Sequence, residues 1–395
     1  MDKNNKPIII LDFPGHLLAY DLAKQMSKTQ KNKIVHIHNP FQLGPKSSFK
    51  KLENLDIIRV NKFFSRNHYK RLFDEFIFTF LLLYNIIKIR PSIVISANNP
   101  LIPQFFLWIY CKLANVKFIF WLQDITSIAV NNILKRQKNI FTKIVSKIFH
   151  FMEFSVLRNS DHIITITPDF DNILLKNGVK NDRIQCIPNW APINNIPALP
   201  KKNNFSIKNK LDKSFNIMYS GTLGFKHNPE ILFNLGVSLS NQKINTKIVI
   251  VSEGPVVEYL KGKVSSHGLR NFVFLPFQNF EIFPEVLATA DVNLVMLEKD
   301  SSDFCVPSKL LSILCSGRIP IVYVANTNLA SKIVVDNNCG FSVKSEKELQ
   351  SIIHKIINNI DSYDFIGKNG ISYAEDNFKI EDITNKFLRV IKNLS

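Results

Sequence analysis

Short unbroken runs of Ile, Val, Leu and Phe recur along the chain, and longer stretches with helical spacing of apolar residues separate them. The runs at 8–11, 33–38, 57–60, 93–96, 117–122, 162–165 and 184–187 do not alternate with polar residues, so they read as strands buried on both faces. Stretches 17–27, 73–88, 104–114 and 139–158 read as helices between them. Strands and helices in alternation predict a parallel sheet with helices on both sides. After residue 189 the pattern breaks into the polar, proline-rich segment NWAPINNIPALPKKNNFSIKNK, which reads as a linker. The pattern then restarts, with strands expected at 215–219, 247–251, 272–275, 292–296, 319–324 and 341–343. A chain of 395 residues exceeds one typical core. The expectation is an α/β protein of two doubly wound domains, and a last helix near 380–391 that suits either of them.

Charge changes this picture only in the first half. Residues 1–200 carry 27 Lys and Arg against 13 Asp and Glu, and residues 201–395 carry 23 against 19. The excess of +14 in the first half, against +4 in the second, suggests an anionic partner on that side: a nucleic acid, an anionic membrane surface or a phosphorylated acceptor. A general Lys/Asn/Ile bias is the competing reading, although it leaves the asymmetry unexplained. Five scattered Cys without metal-ligand spacing suggest reduced thiols in the cytoplasm. The opening MDKNNKPIIILDF has too short an apolar run for a secretory leader, and no stretch reaches the ~18 apolar residues of a membrane span. A soluble or peripheral protein is therefore expected. Tyr69-Lys70-Arg71-Leu72-Phe73 and residues 76–87 read equally as an interfacial surface or as a core helix with a solvated basic end.

Several strand ends carry candidate chemistry. In DFCVPSKLLSILCSGRIP (303–320), Pro307 suits a first helical position, and Ser308 and Lys309 beside free amides form a seat for a phosphate or diphosphate. In FNIMYSGTLGFKHNPE (215–230), Gly221, Thr222 and Gly224 form a turn whose amides can approach a ligand, with Lys226 following. The turn is neither a GxGxxG nor a Walker loop, which counts against a dehydrogenase or P-loop ATPase; a plain structural turn remains an equal reading. Gly254, in the Glu253-Gly254-Pro255 turn, follows another strand, either as ligand site or as simple turn. Asp291 reads as a structural cap. Gly15 and His16 follow the first strand and Asp124 follows the fifth; a lone Asp there is more often a helix cap than a catalyst. His36 and His38 share a strand face, but two His without a third ligand read as structural.

Taken in order, SGTLGFKHNPE, the EGP turn, ATADVNLVM and VPSKLLSILCSGRIP resemble the retaining glycosyltransferases of family 4. FWLQDITSIAV, FSVLRNSDHIITITPDFDNILLKNGV, IQCIPNWAP and IGKNGISYAEDNFKIEDITNKFL extend the resemblance over nearly the whole chain. It is closest to the subgroup that builds bacterial surface polysaccharides, such as fucosamine-type and colanic-acid transferases. The resemblance implies a GT-B fold of two Rossmann-like domains facing a cleft. Residues 1–195 would bind the acceptor and 196–378 a nucleotide-sugar, UDP-linked, with helix 379–395 crossing back to the N-terminal domain. Gly221, Thr222, Gly224, Lys226, Ser308 and Lys309 would hold the diphosphate, and Gly254 would lie near the nucleotide. Pro276 and Phe277 would flank the base, and Asp303 would reach the sugar hydroxyls. Gly15, His16 and Asp124 would line the acceptor side. One departure stands out: where many relatives carry two Glu, this chain has Phe304 and Ser312, leaving Asp303 and Glu298 as the nearby carboxylates.

Glycosyl transfer builds negative charge on the leaving phosphate, so preorganised positive charge is the most useful catalyst. Lys309 and Lys226 would supply it, with Asp303 at the sugar. The leaving phosphate is itself a plausible base in a retaining mechanism, and neither a metal nor another cofactor is expected. The basic first half fits an acceptor linked to a lipid diphosphate, at the cytoplasmic face of the inner membrane, in O-antigen or capsule synthesis; the transferred sugar would be a hexose or an N-acetylated amino-deoxysugar. A sugar-nucleotide epimerase of the same fold is the alternative, weakened by sparse carboxylates. A catalytically silent partner in polysaccharide assembly draws only on the missing Glu pair. A nucleic-acid binder rests on charge alone, without a motif, and no nucleic acid is expected as partner.

Overall fold

The computed structural model describes residues 6–40, 49–62, 64–65, 68–135, 140–224, 227–240, 244–297 and 306–394. Lys226, Glu298, Asp303 and Phe304 lie outside these described residues. The chain forms two compact units. The first holds residues 1–42, 48–189 and 380–395, and the second holds residues 190–379.

The first unit is built on strands β1 (Ile8–Asp12), β2 (Ile34–His38), β3 (Leu55–Arg59), β4 (Ile93–Ala97), β5 (Lys117–Leu122), β6 (His162–Thr165) and β7 (Ile184–Cys186). They pair in the order β3-β2-β1-β4-β5-β6-β7, every pair parallel. β1, β2 and β4 are buried at each position; β1 and β4 are mostly apolar as a result, while β2 also buries His36 and His38. The chain winds outward from β1 to β3, then returns through helix His68–Ile89 to β4 on the other side of β1. Winding reverses between β1 and β4, and right-handed crossovers therefore put the helices on opposite faces of the sheet. Helices His68–Ile89, Leu101–Leu113 and Ile140–Asn159 pack in a row. Helix Leu17–Thr29 packs against the terminal helix Ile380–Leu394, whose Phe387 meets Trp121 edge-on, with ring centroids 5.1 Å apart.

The second unit contains β8 (Phe215–Ser220), β9 (Thr246–Val251), β10 (Phe272–Leu275), β11 (Val292–Met296), β12 (Ile319–Tyr323) and β13 (Phe341–Val343). Their order is β10-β9-β8-β11-β12-β13, again all parallel, with the reversal between β8 and β11. Ile217, Ile248, Ile250, Leu260, Leu294 and Ile321 form the centre of its core. Asp291 is structural: its carboxylate accepts the Asn216 amide at 2.7 Å and pairs with Lys201 at 2.5 Å, tying the starts of β8 and β11 together. All thirteen strands expected from the apolar runs are present, with ends shifted by two residues at most.

The helix after β11 differs in its start. Pro307 and Ser308 form a turn whose carbonyls accept the amides of Leu310 and Leu311, and the helix proper is Lys309–Cys315. Its buried face is Leu310, Leu311, Ile313, Leu314 and Cys315. Helix Asp364–Asn377 packs against it through a strip of small residues, Gly367, Gly370 and Ala374. The approach needs glycine: a β-carbon on Gly367 would sit 2.1 Å from the carbonyl oxygen of Gly317. Gly317 itself has φ +67°, the left-handed conformation that ends a helix at low cost.

Gly367→Ala should therefore destabilise the protein by about 1–3 kcal/mol through overpacking. Gly262→Ala, in an exposed stretch of helix Pro255–Ser266 with open space at the β-carbon, should instead gain about 0.4–1 kcal/mol. Urea denaturation of the two variants tests the contrast; equal effects would mean the packing against Gly317 is not tight.

Candidate active site

In an open parallel sheet, the carboxyl ends at the winding reversal leave a crevice where loops diverge. In the second unit that place is the end of β8. Gly221 has φ +116° and donates its amide to the Val251 carbonyl at 3.0 Å, so the chain turns off β8 while still paired to β9. The Tyr219 hydroxyl donates to the Thr222 carbonyl at 2.8 Å. The Leu223 amide donates to Ser252 Oγ at 3.2 Å, and the Gly224 amide to Nδ1 of the buried His227 at 2.8 Å. These bonds fix the turn from beneath.

Lys309 reaches the same turn from the first residue of its helix. Its Nζ lies 3.7 Å from the centroid of the Tyr219 ring, and a β-carbon on Gly221 would touch its Cε and Nζ at 3.6 Å. A cation over an aromatic face is attracted by the ring and so held in place. Ser308, beside it, is exposed and makes no capping bond with its side chain. Gly254, with φ +118°, follows β9 and precedes Pro255, the first residue of its helix; nothing lies within 4 Å of where its β-carbon would be. Pro276 is exposed and Phe277 half-buried after β10, at the same end of the sheet but two strands from β8. Gly221, Thr222, Gly224 and Lys309 thus converge, Gly254 lies one strand away, and Pro276 and Phe277 border the edge strand.

The reversal in the first unit holds a different constellation. Asp12, the last residue of β1, is wholly buried. Its carboxylate accepts the His16 amide and lies 3.2 Å from His16 Nδ1, while Asn98 Nδ2 donates to it at 2.7 Å. Asn98 follows β4 with φ +48°, so the carboxylate straddles the β1–β4 switch point. Gly15, at φ +72°, closes the turn by donating to the Asp12 carbonyl at 3.0 Å; a β-carbon there would be 3.0 Å from His38 Nδ1.

Burial works to raise the pKa of Asp12, but the charge of His16 and the bonds from His16 and Asn98 outweigh it and hold the carboxyl below its usual value. For His16, desolvation works downward, yet Asp12, with Asp124 adding, holds the imidazole above its usual value. Its side chain is 49 % exposed, so it presents the imidazole to solvent while its carboxylate partner is hidden. Asp124 lies in the turn after β5. That turn is pinned by the buried Glu153, whose carboxylate accepts the amides of Thr126 at 2.9 Å and Ser127 at 2.8 Å. Burial pushes Glu153 up to about 7 despite those bonds, and Asp124 adds to the rise.

His36 and His38 are buried and stacked at 5.5 Å, and burial pushes both down to about 4, which suits neutral core residues. Among the described residues no group of three His, Cys, Asp or Glu is arranged to hold a metal. The sequence reading named Gly15 and His16 but passed over Asp12 and Asn98. Two signals were present: an Asp closing the first apolar run, and Asn98-Asn99-Pro100 closing the fourth.

Comparison with known proteins bears on both units. Residues 200–373, within the second unit, match the model of the family described as glycosyl transferases group 1. A protein of Escherichia coli named as a colanic acid biosynthesis glycosyl transferase is 29 % identical over 176 residues. The match spans 44 % of this chain and 43 % of that relative's length. Among solved structures, sucrose-phosphate synthase of Thermosynechococcus elongatus superposes with a TM-score of 0.76 at 13 % identity, covering 99 % of each chain. HepE of Anabaena, solved in complex with UDP and glucose, gives 0.72 at 15 % identity, over 98 % of this chain and 99 % of its own. WaaG, a glycosyltransferase involved in lipopolysaccharide biosynthesis, gives 0.70 at 14 % identity, over 98 % and 99 %. The fold is GT-B: two parallel-sheet α/β units.

The His16–Asp12 pair has a defined pH signature. Asp12, with its lowered value, contributes stability above its ordinary 3.8 that is lost as pH falls through the lowered value; His16, with its raised value, contributes below its ordinary 6.5 and loses it as pH rises through the raised value. NMR titration should find His16 ionising above 6.5 in the wild type and at or below 6.5 in Asp12→Asn. An unchanged His16 in that variant would show that the carboxylate does not control it.

Proposed function

We propose that the chain is a group 1 glycosyltransferase that moves a sugar from a nucleotide-sugar, UDP-linked, to a glycan acceptor carried on a lipid diphosphate, with retention, in the synthesis of a bacterial surface polysaccharide. The observation that carries the reading is the meeting of Lys309 with the Gly221 turn at the winding reversal of the second unit, inside the segment that matches the family. A diphosphate there would face the Lys309 ammonium as its charge grows in the transition state, and a charge already held in place acts with little reorganisation. The Gly221, Leu223 and Gly224 amides are spent on Val251, Ser252 and His227 and shape the turn instead. Ser308 would add a hydroxyl, and Gly254 leaves room for the nucleotide. Lys226 and Asp303 belong to the proposal as a second diphosphate cation and a sugar contact.

In the first unit, Asp12, His16 and Asn98 would meet the acceptor, with Gly15 and Asp124 beside them. A half-exposed imidazole backed by a buried carboxylate would hold a hydroxylated group in a fixed orientation. The leaving phosphate oxygen would take the proton of the acceptor hydroxyl, so the reaction needs no further base from the protein. The donor sugar belongs to the hexose or N-acetylated amino-deoxysugar class. HepE, crystallised with UDP and with UDP-glucose, supports UDP as the first nucleotide to try.

Thermal denaturation with UDP, GDP, ADP and their sugars tests donor binding. UDP or a UDP-sugar should stabilise the protein by about 2.7 kcal/mol at roughly 100 times its Kd. Lys309→Ala should lose most of that shift, and should lower kcat by roughly 10²–10³-fold if the lysine acts on the departing phosphate. The anomeric coupling of the product, read by NMR, decides between retention and inversion. No shift with any nucleotide would overturn the reading.

A further inference from the structure

The row of three helices on the first unit turns apolar residues outward. On helix His68–Ile89, Phe73, Phe76, Phe80, Tyr84 and Ile87 form one stripe at helical spacing; Phe80 is 74 % exposed and Tyr84 65 %. Helix Leu101–Leu113 packs alongside, bringing Phe106 to a ring distance of 6.4 Å from Phe76 and leaving Leu113 84 % exposed. Helix Ile140–Asn159 continues the surface with Ile144, Ile148 and Phe151, again on one face. Ordinary surface helices bury such stripes and expose charge.

The charges are sorted as sharply. Asp74, Glu75 and Glu153 are the acids of these three helices, and all three are buried. Asp74 pairs with Lys62 at 2.8 Å, Glu75 with Arg71 at 3.5 Å, and Glu153 receives the Thr126 and Ser127 amides. The exposed charges are Lys70, Arg71, Lys88, Lys112, Lys143, Lys147 and Arg158, all positive. Two copies joined through this face would set like charges against each other. No helix among the described residues is long and apolar enough to cross a membrane.

We propose that this three-helix face docks on the surface of an anionic phospholipid bilayer. The aromatic side chains enter the boundary between headgroups and acyl chains, and the lysines extend outward to lipid phosphates. Helix His68–Ile89, about 33 Å long, lies in the plane of the surface. Docking deepens the glycosyl-transfer reading by bringing the first unit to a lipid-borne acceptor, and its test is independent of that reading.

The full-length protein is sedimented with vesicles of phosphatidylglycerol mixed with phosphatidylcholine, and with vesicles of phosphatidylcholine alone. It should pellet with the anionic vesicles and be released by added sodium chloride. The double variant F73S/F80S should weaken binding about tenfold or more. K143E/K147E should weaken binding to the anionic vesicles while leaving the apolar stripe intact. These residues are exposed, and an unchanged melting temperature confirms that each variant is folded. Absence of pelleting with anionic vesicles would overturn the proposal, as would undiminished binding by both variants. Self-association without vesicles, abolished by F73S/F80S, would assign the face to a second copy instead. Vesicle binding without any nucleotide-induced shift would uphold docking and reject glycosyl transfer.

Discussion

Burial of parallel strands on both faces governs this molecule. A strand covered on both sides has little room for charged side chains along its length, so chemistry is pushed to its ends. The right-handed crossover then decides which ends diverge, and each sheet has one such place, β1–β4 in the first unit and β8–β11 in the second. Asp12 and Asn98 stand at one, Gly221 and Lys309 at the other. The two places carry opposite devices. One hides a carboxylate and shows an imidazole half to solvent; the other rests a cation on an aromatic ring beside a glycine turn.

What positions Lys309 is not its own short helix but the helix behind it. Seven residues make fewer than two full turns beyond the ends, too few to be stable alone in water. Gly367, Gly370 and Ala374 let helix Asp364–Asn377 come close enough for backbone contact at Gly317. Position therefore reaches Lys309 through packed backbone rather than through flexible side chains. Glu153 does comparable work in the first unit, where its carboxylate holds the first amides of helix Thr126–Lys135 just after Asp124.

The strands were legible because a doubly covered strand has a one-sided composition that survives without any alignment. The Gly221 and Gly254 turns were legible because left-handed backbone selects glycine. Asp12 and Asn98 were harder, since their meaning depends on β1 and β4 becoming neighbours although about 80 residues of sequence separate them. Pro307 misled slightly: proline favours a first helical position, but here the chain makes one more turn before the helix proper begins. The outward apolar stripe was ambiguous from sequence, because a run such as that from Phe76 to Ile87 has the same composition whether it faces a core or solvent. Only the side on which Asp74 and Glu75 are buried reveals the orientation.

The terminal helix has a consequence for how the chain is made. Gln25 bonds with Glu381 across 356 positions of sequence, and Phe387 covers Trp121. The described residues of the second unit lie in one stretch, 190–379, whereas the first unit lacks a piece of its packing until helix Ile380–Leu394, beyond that stretch, is synthesised. During translation the later unit is thus able to complete itself before the earlier one, and the final closing step of the first unit is a long loop closure that comes late.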